Sequence, residues 1–302
     1  MWSGSRITRR AAFIGVAAGG IDVDLPGRDV RLRATRWPGS GTPVLLLHGL
    51  ASTRRFWDLV VPGLAGLPVL ALDQRGHGDS ERPDGPYDGE TVVADALTAL
   101  DAVGVSRVVV VGHSWGAWTA LRLAATAPSR ALAVVAVDGG TLPAPAAGVT
   151  REQVRARMTP PRTALPLDEL LAVLRSGPLA PWWSPAVESA VLPIFGRGED
   201  GLVRARLPFD AHMAIVDDLI AADLEPALAA VRCPSWLISC SPDADRAAAL
   251  DRTAALLTQP RVQRWDGALH DVPLQWPALV AGLIRAAVDE VSARSAGEGA
   301  PA

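Results

Sequence analysis

Several short runs of the sequence are apolar on both faces, and helical stretches separate them. These runs occupy residues 43–49, 68–73, 107–112, 131–138 and 234–240. A strand that is apolar on both faces needs cover on both sides, which is typical of a parallel sheet between two layers of helices. The alternation of strand and helix therefore predicts an α/β fold with a doubly wound, mostly parallel sheet.

Two runs near the start of the chain alternate apolar and polar residues instead. "IDVDL" and "VRLRATRW" have the period of two that half-buried strands show, so we predict an antiparallel pair at one edge of the sheet. The chain has 302 residues, of which 49% are hydrophobic. This is enough apolar material for one large core.

The alternation of strand and helix patterns ends after Gly140. Proline-rich pieces such as "TPPRTALP" then alternate with short amphipathic stretches such as "PLDELLAVLRSG", and no strand pattern returns before Pro234. We predict a helical cap inserted after the sixth strand. The expected divisions are a leader at 1–20, the core at 21–140 and 231–292, the cap at 141–230 and a disordered tail at 293–302.

The charge of the chain favours neither a nucleic-acid partner nor an acidic membrane surface, because the net charge is −3 and the isoelectric point is near 6.0. No run of 18 apolar residues could form an integral membrane segment. Residues 8–20, "TRRAAFIGVAAGG", resemble a twin-arginine export signal, but no clean cleavage site follows them. We expect a cytoplasmic protein, with export through this leader as the alternative. The oligomeric state stays open.

The sequence predicts neither a metal nor an organic cofactor. All 29 basic residues are arginine, so mechanisms that need a lysine are excluded. Cys233 and Cys240 would lie ~23 Å apart along a strand that rises ~3.3 Å per residue, too far for a disulfide. No cluster of cysteine and histidine has the spacing of metal ligands.

The stretch "VVVVGHSWGAW" places Ser114 where an apolar run passes into a helical stretch. G-x-S-x-G in this context is typical of a nucleophile elbow, a tight turn that raises the serine hydroxyl above the sheet. Gly112 and Gly116 let strand and helix approach closely, and the N-terminus of the helix favours developing negative charge. We predict Ser114 as the nucleophile, with an ordinary turn serine as the alternative.

A serine nucleophile needs a base that takes its proton, and the chain has five histidines. His270 follows the last predicted strand, in the loop "WDGALHDVPLQWP", from which it can reach the carboxyl edge of the sheet. We therefore predict His270 as the base. Structural roles are expected for His48, in the loop that shapes the oxyanion hole, and for His77 in a turn.

The base in turn needs a carboxylate that orients the imidazole. Asp243 stands just past "PSWLISCSP" and precedes His270, which makes it the first choice. Asp138, at the end of "AVVAVD", and Asp245, two residues after Asp243, are the alternatives.

These motifs together resemble the α/β-hydrolase superfamily, in particular its capped branch, α/β hydrolase fold-1. The resemblance rests on "LLLHGLAST", "LALDQRGHGDSERP", "VVVVGHSWGAW", "CPSWLIS" and "LHDVPLQWP", and it covers about residues 25–290. The residues that it implies are the triad Ser114, His270 and Asp243 and, for the oxyanion hole, the backbone N–H groups of Leu50 and Trp115.

Several enzyme classes of this superfamily use catalytic residues that this chain lacks. Epoxide hydrolases and haloalkane dehalogenases of this fold use an aspartate nucleophile, and this position is Ser114 here. Epoxide opening there also uses two tyrosines of the cap, whereas the one tyrosine here, Tyr87, lies outside the cap. Hydroxynitrile lyases of this fold rely on a lysine. Acyl chemistry remains.

The aromatic residues suggest an apolar substrate, because the chain has ten tryptophans, four phenylalanines and one tyrosine. We expect the Trp115 indole to line the pocket and Trp118 to pack in the core. Further candidates for the substrate pocket are His48, Trp57, Trp182, Trp183 and His212. For each of them, packing in the core or the cap is the alternative.

The sequence thus predicts a serine hydrolase that cleaves a small to medium apolar carboxylic ester or thioester through an acyl-enzyme. Its expected partner is a small apolar acyl substrate. A cofactor-free perhydrolase, a C–C hydrolase or a biosynthetic acyltransferase on the same triad is the first alternative. A non-catalytic binding module of the same fold is the second.

Overall fold

The computed structural model describes residues 19–142 and 150–298, and a mixed sheet of eight strands forms the centre of this part of the chain. The described residues form ten strands, of which all but β7 and β8 belong to this sheet. They are β1 (Ile21–Pro26), β2 (Arg31–Trp37), β3 (Val44–Leu47), β4 (Val69–Leu72), β5 (Val108–His113), β6 (Ala131–Val137), β7 (Phe195–Arg197), β8 (Val203–Ala205), β9 (Ser235–Ser239) and β10 (Pro260–Arg264). The order in the large sheet is β1-β2-β4-β3-β5-β6-β9-β10. Its pairs from β4 to β10 are parallel, and β2 pairs antiparallel with both β1 and β4.

Helices cover both faces of the sheet. They are α1 (Gly89–Ala102), α2 (Trp115–Thr126), α3 (Arg151–Met158), α4 (Leu167–Arg175), α5 (Pro185–Val191), α6 (Phe209–Ala221), α7 (Glu225–Ala230), α8 (Ala244–Leu256), α9 (Val272–Gln275) and α10 (Pro277–Glu298). Two short 3₁₀ turns, Arg54–Trp57 and Val61–Leu64, connect β3 to β4. Within the described ranges, every helix is too short or too polar to cross a lipid bilayer.

The strand interiors divide their side chains between two buried apolar clusters. On β5, Val109 and Val111 face the cluster that contains residues of α10, while Val108 and Val110 face the cluster under α1 and α2. This alternation buries both faces of the strand, because successive side chains of a strand point to opposite sides. The predicted doubly wound, mostly parallel α/β fold is confirmed.

The segment between β6 and β9 differs in detail from the predicted helical cap of residues 141–230. It holds α3 to α6, and it also holds the antiparallel pair β7–β8, whose three-residue strands are too short to give a sequence pattern. α7 belongs to the core, because Leu224 and Leu228 bury their side chains in the cluster that contains residues of α2. The cap elements therefore end with α6.

Both ends of the chain also bear on the predicted divisions. The predicted tail is wrong in part, since α10 continues to Glu298. Alanines and an ion pair between Arg294 and Glu290 favour this continuation. Most of the predicted leader, residues 1–18, lies outside the described residues. The sequence did not predict β10, because "PRVQR" is largely polar and lacks an apolar run. Polar residues are common in a strand at the edge of a sheet.

Candidate active site

Ser114 forms the turn between β5 and α2 and has φ +53° and ψ −116°, a conformation that non-glycine residues rarely adopt. The surrounding backbone over-determines this geometry. A Cβ on Gly112 would lie 2.0 Å from the carbonyl oxygen of Gly116, so strand and helix touch through their main chains. A Cβ on Gly139 would lie 2.2 Å from the carbonyl oxygen of Ser114. The elbow that the sequence predicted is thus packed between β5, α2 and the chain that leaves β6.

His270 lies in the loop between β10 and α9, and its imidazole is paired with Asp138. His270 Nδ1 donates a hydrogen bond of 2.6 Å to Asp138 Oδ2. The Asp138 carboxyl is 8% exposed and the His270 ring is 53% exposed, so the ring meets solvent while its partner is buried. Ser114, Asp138 and His270 line one cavity of about 290 Å³ at the carboxyl edge of the sheet.

Asp138 is held by the neighbouring strand β9. Its backbone has φ +43°, and its N–H donates to the carbonyl oxygen of Ile238 at 2.8 Å. The N–H of Cys240 donates to Asp138 Oδ1 at 2.8 Å. One carboxylate oxygen therefore binds the main chain, and this leaves the other to accept from His270.

The expectation that Asp243 partners His270 is wrong in this geometry. Asp243 is exposed and is the N-cap of α8, where its Oδ1 accepts from the N–H of Arg246 at 2.9 Å. Asp245 follows in the first turn of the same helix and is also exposed. Because β6 and β9 are parallel neighbours, an acid after either strand starts at the same sheet edge, and only Asp138 turns back toward His270.

The residues that follow Asp138 carry a sequence signal that favours it over Asp243. Asp138 directly ends a buried strand and is followed by Gly139 and Gly140. Gly140 has φ +73°, and Gly139 has no room for a side chain against Ser114. Two successive glycines after an acid at a strand end thus marked a chain that passes directly against the nucleophile turn.

The loop that carries His270 is fixed by two buried side chains. Gln275 accepts from the N–H of Leu269 at 2.6 Å and donates to the carbonyl oxygen of Gly267 at 3.1 Å. His113, the residue before Ser114, donates from Nε2 to the carbonyl oxygen of His270 at 2.8 Å. Burial lowers the pKa of His113 to about 3, so the ring is neutral and serves as a fixed donor.

The pKa shifts of the pair suit proton transfer by His270. Burial acts to raise the pKa of Asp138, but the hydrogen bonds from His270 and from Cys240 bring it below its ordinary value. Burial acts to lower the pKa of His270, but the Asp138 carboxylate outweighs this and raises it. Asp271 adds to the rise and Arg246 opposes it.

The two candidate oxyanion donors have different origins. Trp115 is the first residue of α2, and the first N–H groups of a helix have no partner within the helix. Leu50 follows Gly49, whose Cβ would lie 3.2 Å from Ser114 Cβ, so this loop touches the elbow. Ala51 donates its N–H to His77, whereas among the described residues no acceptor meets the N–H of Leu50.

The loop that carries Leu50 is tied down by buried polar side chains. His48 is fully buried and accepts two hydrogen bonds from Gln74. The Gln74 N–H donates to His48 Nε2 at 3.1 Å, and the Gln74 side chain donates to the His48 carbonyl oxygen at 2.7 Å. Asp73 accepts from the N–H of Arg54 at 2.7 Å and pairs with its guanidinium. His48 is therefore a structural residue of this loop, as first predicted, and the tentative assignment of His48 to a substrate pocket is wrong.

The tryptophans expected in the pocket lie elsewhere. Trp57 is fully buried in the core. Trp115 lies in an apolar cluster with Ala211 and Ile215 of α6 and with Leu207, which precedes that helix. The expectation that these two indoles line the pocket is wrong, because both are buried in apolar clusters of the core and the cap. Trp118 packs against the core as expected.

The remaining pocket candidates are cap residues. Trp182 and Trp183 are half-buried, and the Trp183 indole N–H donates to Glu188 at 3.1 Å. His212 is buried and its Nε2 donates to the carbonyl oxygen of Met158 at 2.9 Å. The cavity at Ser114 is lined instead by Ser114, Asp138, Gly139, Thr141, Leu142, Ile238, Ser239, Arg246, Ala249 and His270.

Asparagine substitutions can separate the roles of the two aspartates. We expect Asp138→Asn to lower kcat roughly 10³- to 10⁴-fold, because the imidazole loses the carboxylate that sets its tautomer. Asp243→Asn is the matched control, since asparagine caps a helix as well as aspartate does. Steady-state kinetics on an activated ester measures both. A loss confined to Asp243→Asn would reverse the assignment.

The pH dependence of activity follows from the raised pKa of His270. Only the neutral imidazole can accept the serine proton, so kcat/KM should fall as the pH drops through a midpoint above the ordinary histidine value near 6.5. In Asp138→Asn, residual activity should show a lower midpoint, because burial then lowers the pKa without an opposing carboxylate. Equal midpoints in both proteins would contradict the pairing.

Known proteins share sequence with this chain. The model of the α/β hydrolase fold family matches residues 42–180. Lipase LipV of Mycobacterium tuberculosis is 31% identical over an alignment of 232 residues that covers 67% of this chain and 87% of the lipase. Epoxide hydrolase A of the same organism is 43% identical over 122 residues, and the match spans 37% of that protein. Esterase Rv0045c is 41% identical over 108 residues, or 36% of its length.

Solved structures extend the likeness over nearly the whole chain. The crystal structure of E-2-(acetamidomethylene)succinate hydrolase has a TM-score of 0.76 at 23% identity and covers 89% of this chain and 99% of that one. The structure of esterase Rv0045c has a TM-score of 0.67 at 27% identity and covers 89% and 92%. The extent of the lipase match, together with the sheet and the elbow, shows that the chain belongs to the α/β-hydrolase superfamily.

Proposed function

We propose that the chain is a serine hydrolase that cleaves a small carboxylic ester or thioester through an acyl-enzyme. The observation that carries this proposal is the 2.6 Å hydrogen bond between His270 and buried Asp138 in the cavity that Ser114 also lines. A nucleophile, a base and an acid that orients the base are the groups that acyl transfer requires.

The proposed reaction uses these groups in two steps. His270 Nε2 takes the proton of the Ser114 hydroxyl as its oxygen attacks the carbonyl carbon, and Asp138 stabilises the imidazolium that forms. The N–H groups of Leu50 and Trp115 bind the oxyanion. The imidazolium then protonates the departing alcohol or thiol. Water attacks the acyl-enzyme in the same way, with His270 as the base, and releases the acid.

The epoxide hydrolases among the relatives suggest another substrate, but the nucleophile argues against it. Attack of a serine oxygen on an epoxide carbon would form an ether, which has no carbonyl that a water molecule could attack. Attack on an ester carbonyl forms an acyl-enzyme that water can hydrolyse. Ser114 therefore favours esters and thioesters over epoxides.

The proposal does not keep the apolar substrate that the sequence suggested. That expectation rested on tryptophans around the nucleophile, and the indoles of Trp57 and Trp115 are buried in core and cap contacts. The cavity wall combines hydroxyl, aliphatic and charged side chains instead.

A series of p-nitrophenyl esters with acyl chains of graded length tests the proposal. We expect the wild-type protein to hydrolyse the short members and Ser114→Ala to lose activity roughly 10⁴-fold or more, because the variant lacks the proposed nucleophile. Ser176→Ala, at an exposed position of the cap, is the matched control. A folded Ser114→Ala protein with more than a tenth of the activity would refute the mechanism. So would a wild-type protein that opens epoxides and hydrolyses no ester.

A further inference from the structure

Arg246 brings a positive charge to the candidate active site. It lies in the first turn of α8, is exposed, and lines the cavity of about 290 Å³ together with Ser114 and His270. The proposed reaction makes no use of this guanidinium. Its presence in so small a cavity therefore calls for a function of its own.

The guanidinium of Arg246 has no protein acceptor in the described part of the chain. Asp243 accepts from the backbone N–H of Arg246 and not from its guanidinium. Both oxygens of Asp138, the acid in the cavity, are engaged by His270 and Cys240. The cavity thus contains a guanidinium that no described side chain holds through an ion pair or a hydrogen bond.

The cavity is small, and its other lining residues are only partly polar. Thr141 and Ser239 contribute hydroxyl-bearing residues, and Leu142, Ile238 and Ala249 contribute aliphatic surface. A volume of about 290 Å³ stands at the lower end of the range for ligand pockets. Such a cavity suits a short aliphatic chain with an anionic end.

We propose that Arg246 binds a carboxylate on the acyl part of the substrate, so that the preferred substrates are short half-esters or half-thioesters of dicarboxylic acids. The inference rests on the proposed function and specifies its substrate class. Arginine is suited to this task, because its planar guanidinium can donate two parallel hydrogen bonds to one carboxylate. The aliphatic wall would accommodate the carbons between the two carboxyl groups.

Charge also favours the proposed substrate. Arg246 opposes the rise in the pKa of His270, so its charge acts on the base. A bound carboxylate would compensate that charge and keep the imidazolium stable while the oxyanion forms. Substrate binding and proton transfer would then support each other.

Two nearly isosteric esters test the inference. Monoethyl succinate carries a terminal carboxylate where ethyl levulinate carries a neutral acetyl group, and ethanol release measures the hydrolysis of both. We expect the wild-type kcat/KM to be roughly 10- to 100-fold higher for monoethyl succinate. A tenfold difference corresponds to about 1.4 kcal/mol, which is close to the contribution of one hydrogen bond to a charged group.

Variants of Arg246 should change this ratio. In Arg246→Gln the ratio should fall by roughly 10- to 100-fold, mainly through a higher KM for monoethyl succinate. Arg246→Lys should restore part of the preference, because lysine keeps the charge without the planar pair of donors. Arg252→Ala removes another exposed arginine of α8 and is the matched control, which should keep the wild-type ratio.

The possible outcomes distinguish this inference from the proposed function. Hydrolysis of ethyl levulinate with no preference for monoethyl succinate would overturn the role of Arg246 and leave the serine hydrolase standing. An equal loss of preference in Arg252→Ala would also overturn it, because general surface charge would then explain the effect. A protein that hydrolyses no ester at all would refute both.

Discussion

The close contact between the chain that leaves β6 and the backbone of the elbow determines the geometry of the whole site. There is no room for a Cβ on Gly139, which would lie 2.2 Å from the carbonyl oxygen of Ser114. The relative positions of Ser114 and Asp138 are therefore set by main-chain packing. His270 completes the set, and its own carbonyl oxygen is held by His113, the neighbour of Ser114.

Buried ion pairs support the loop that carries the candidate oxyanion donor Leu50. Arg54 with Asp73 and Arg75 with Asp95 lie beneath the loops after β3 and β4, and at least one partner in each pair is fully buried. A buried ion pair adds little net stability, because desolvation offsets the attraction, but a missing partner is costly. Such pairs therefore hold a loop in one conformation, and here the loop carries the candidate oxyanion donor Leu50.

The sequence predicts those features of the fold and the site that neighbouring residues determine. It does not predict contacts between residues that are far apart in the chain. The strand pattern, the elbow at Ser114 and the loop of His270 are local features, and the structure has all three where the sequence put them. The acid partner was not local, because the choice between Asp138 and Asp243 depends on which strand end turns toward His270. The same limit applies to the indole of Trp115, since core, cap and pocket walls are all apolar and the sequence does not distinguish them.

The central claim is that Ser114 is a nucleophile activated by His270 and Asp138. A fluorophosphonate probe tests this most directly, because it reacts with an activated serine and leaves an adduct that peptide mass spectrometry can locate. The account predicts one adduct per chain, on Ser114, formed much more slowly in Asp138→Asn than in the wild-type protein. A folded protein that forms no adduct on Ser114, or one that reacts equally fast without the Asp138 carboxylate, would contradict it.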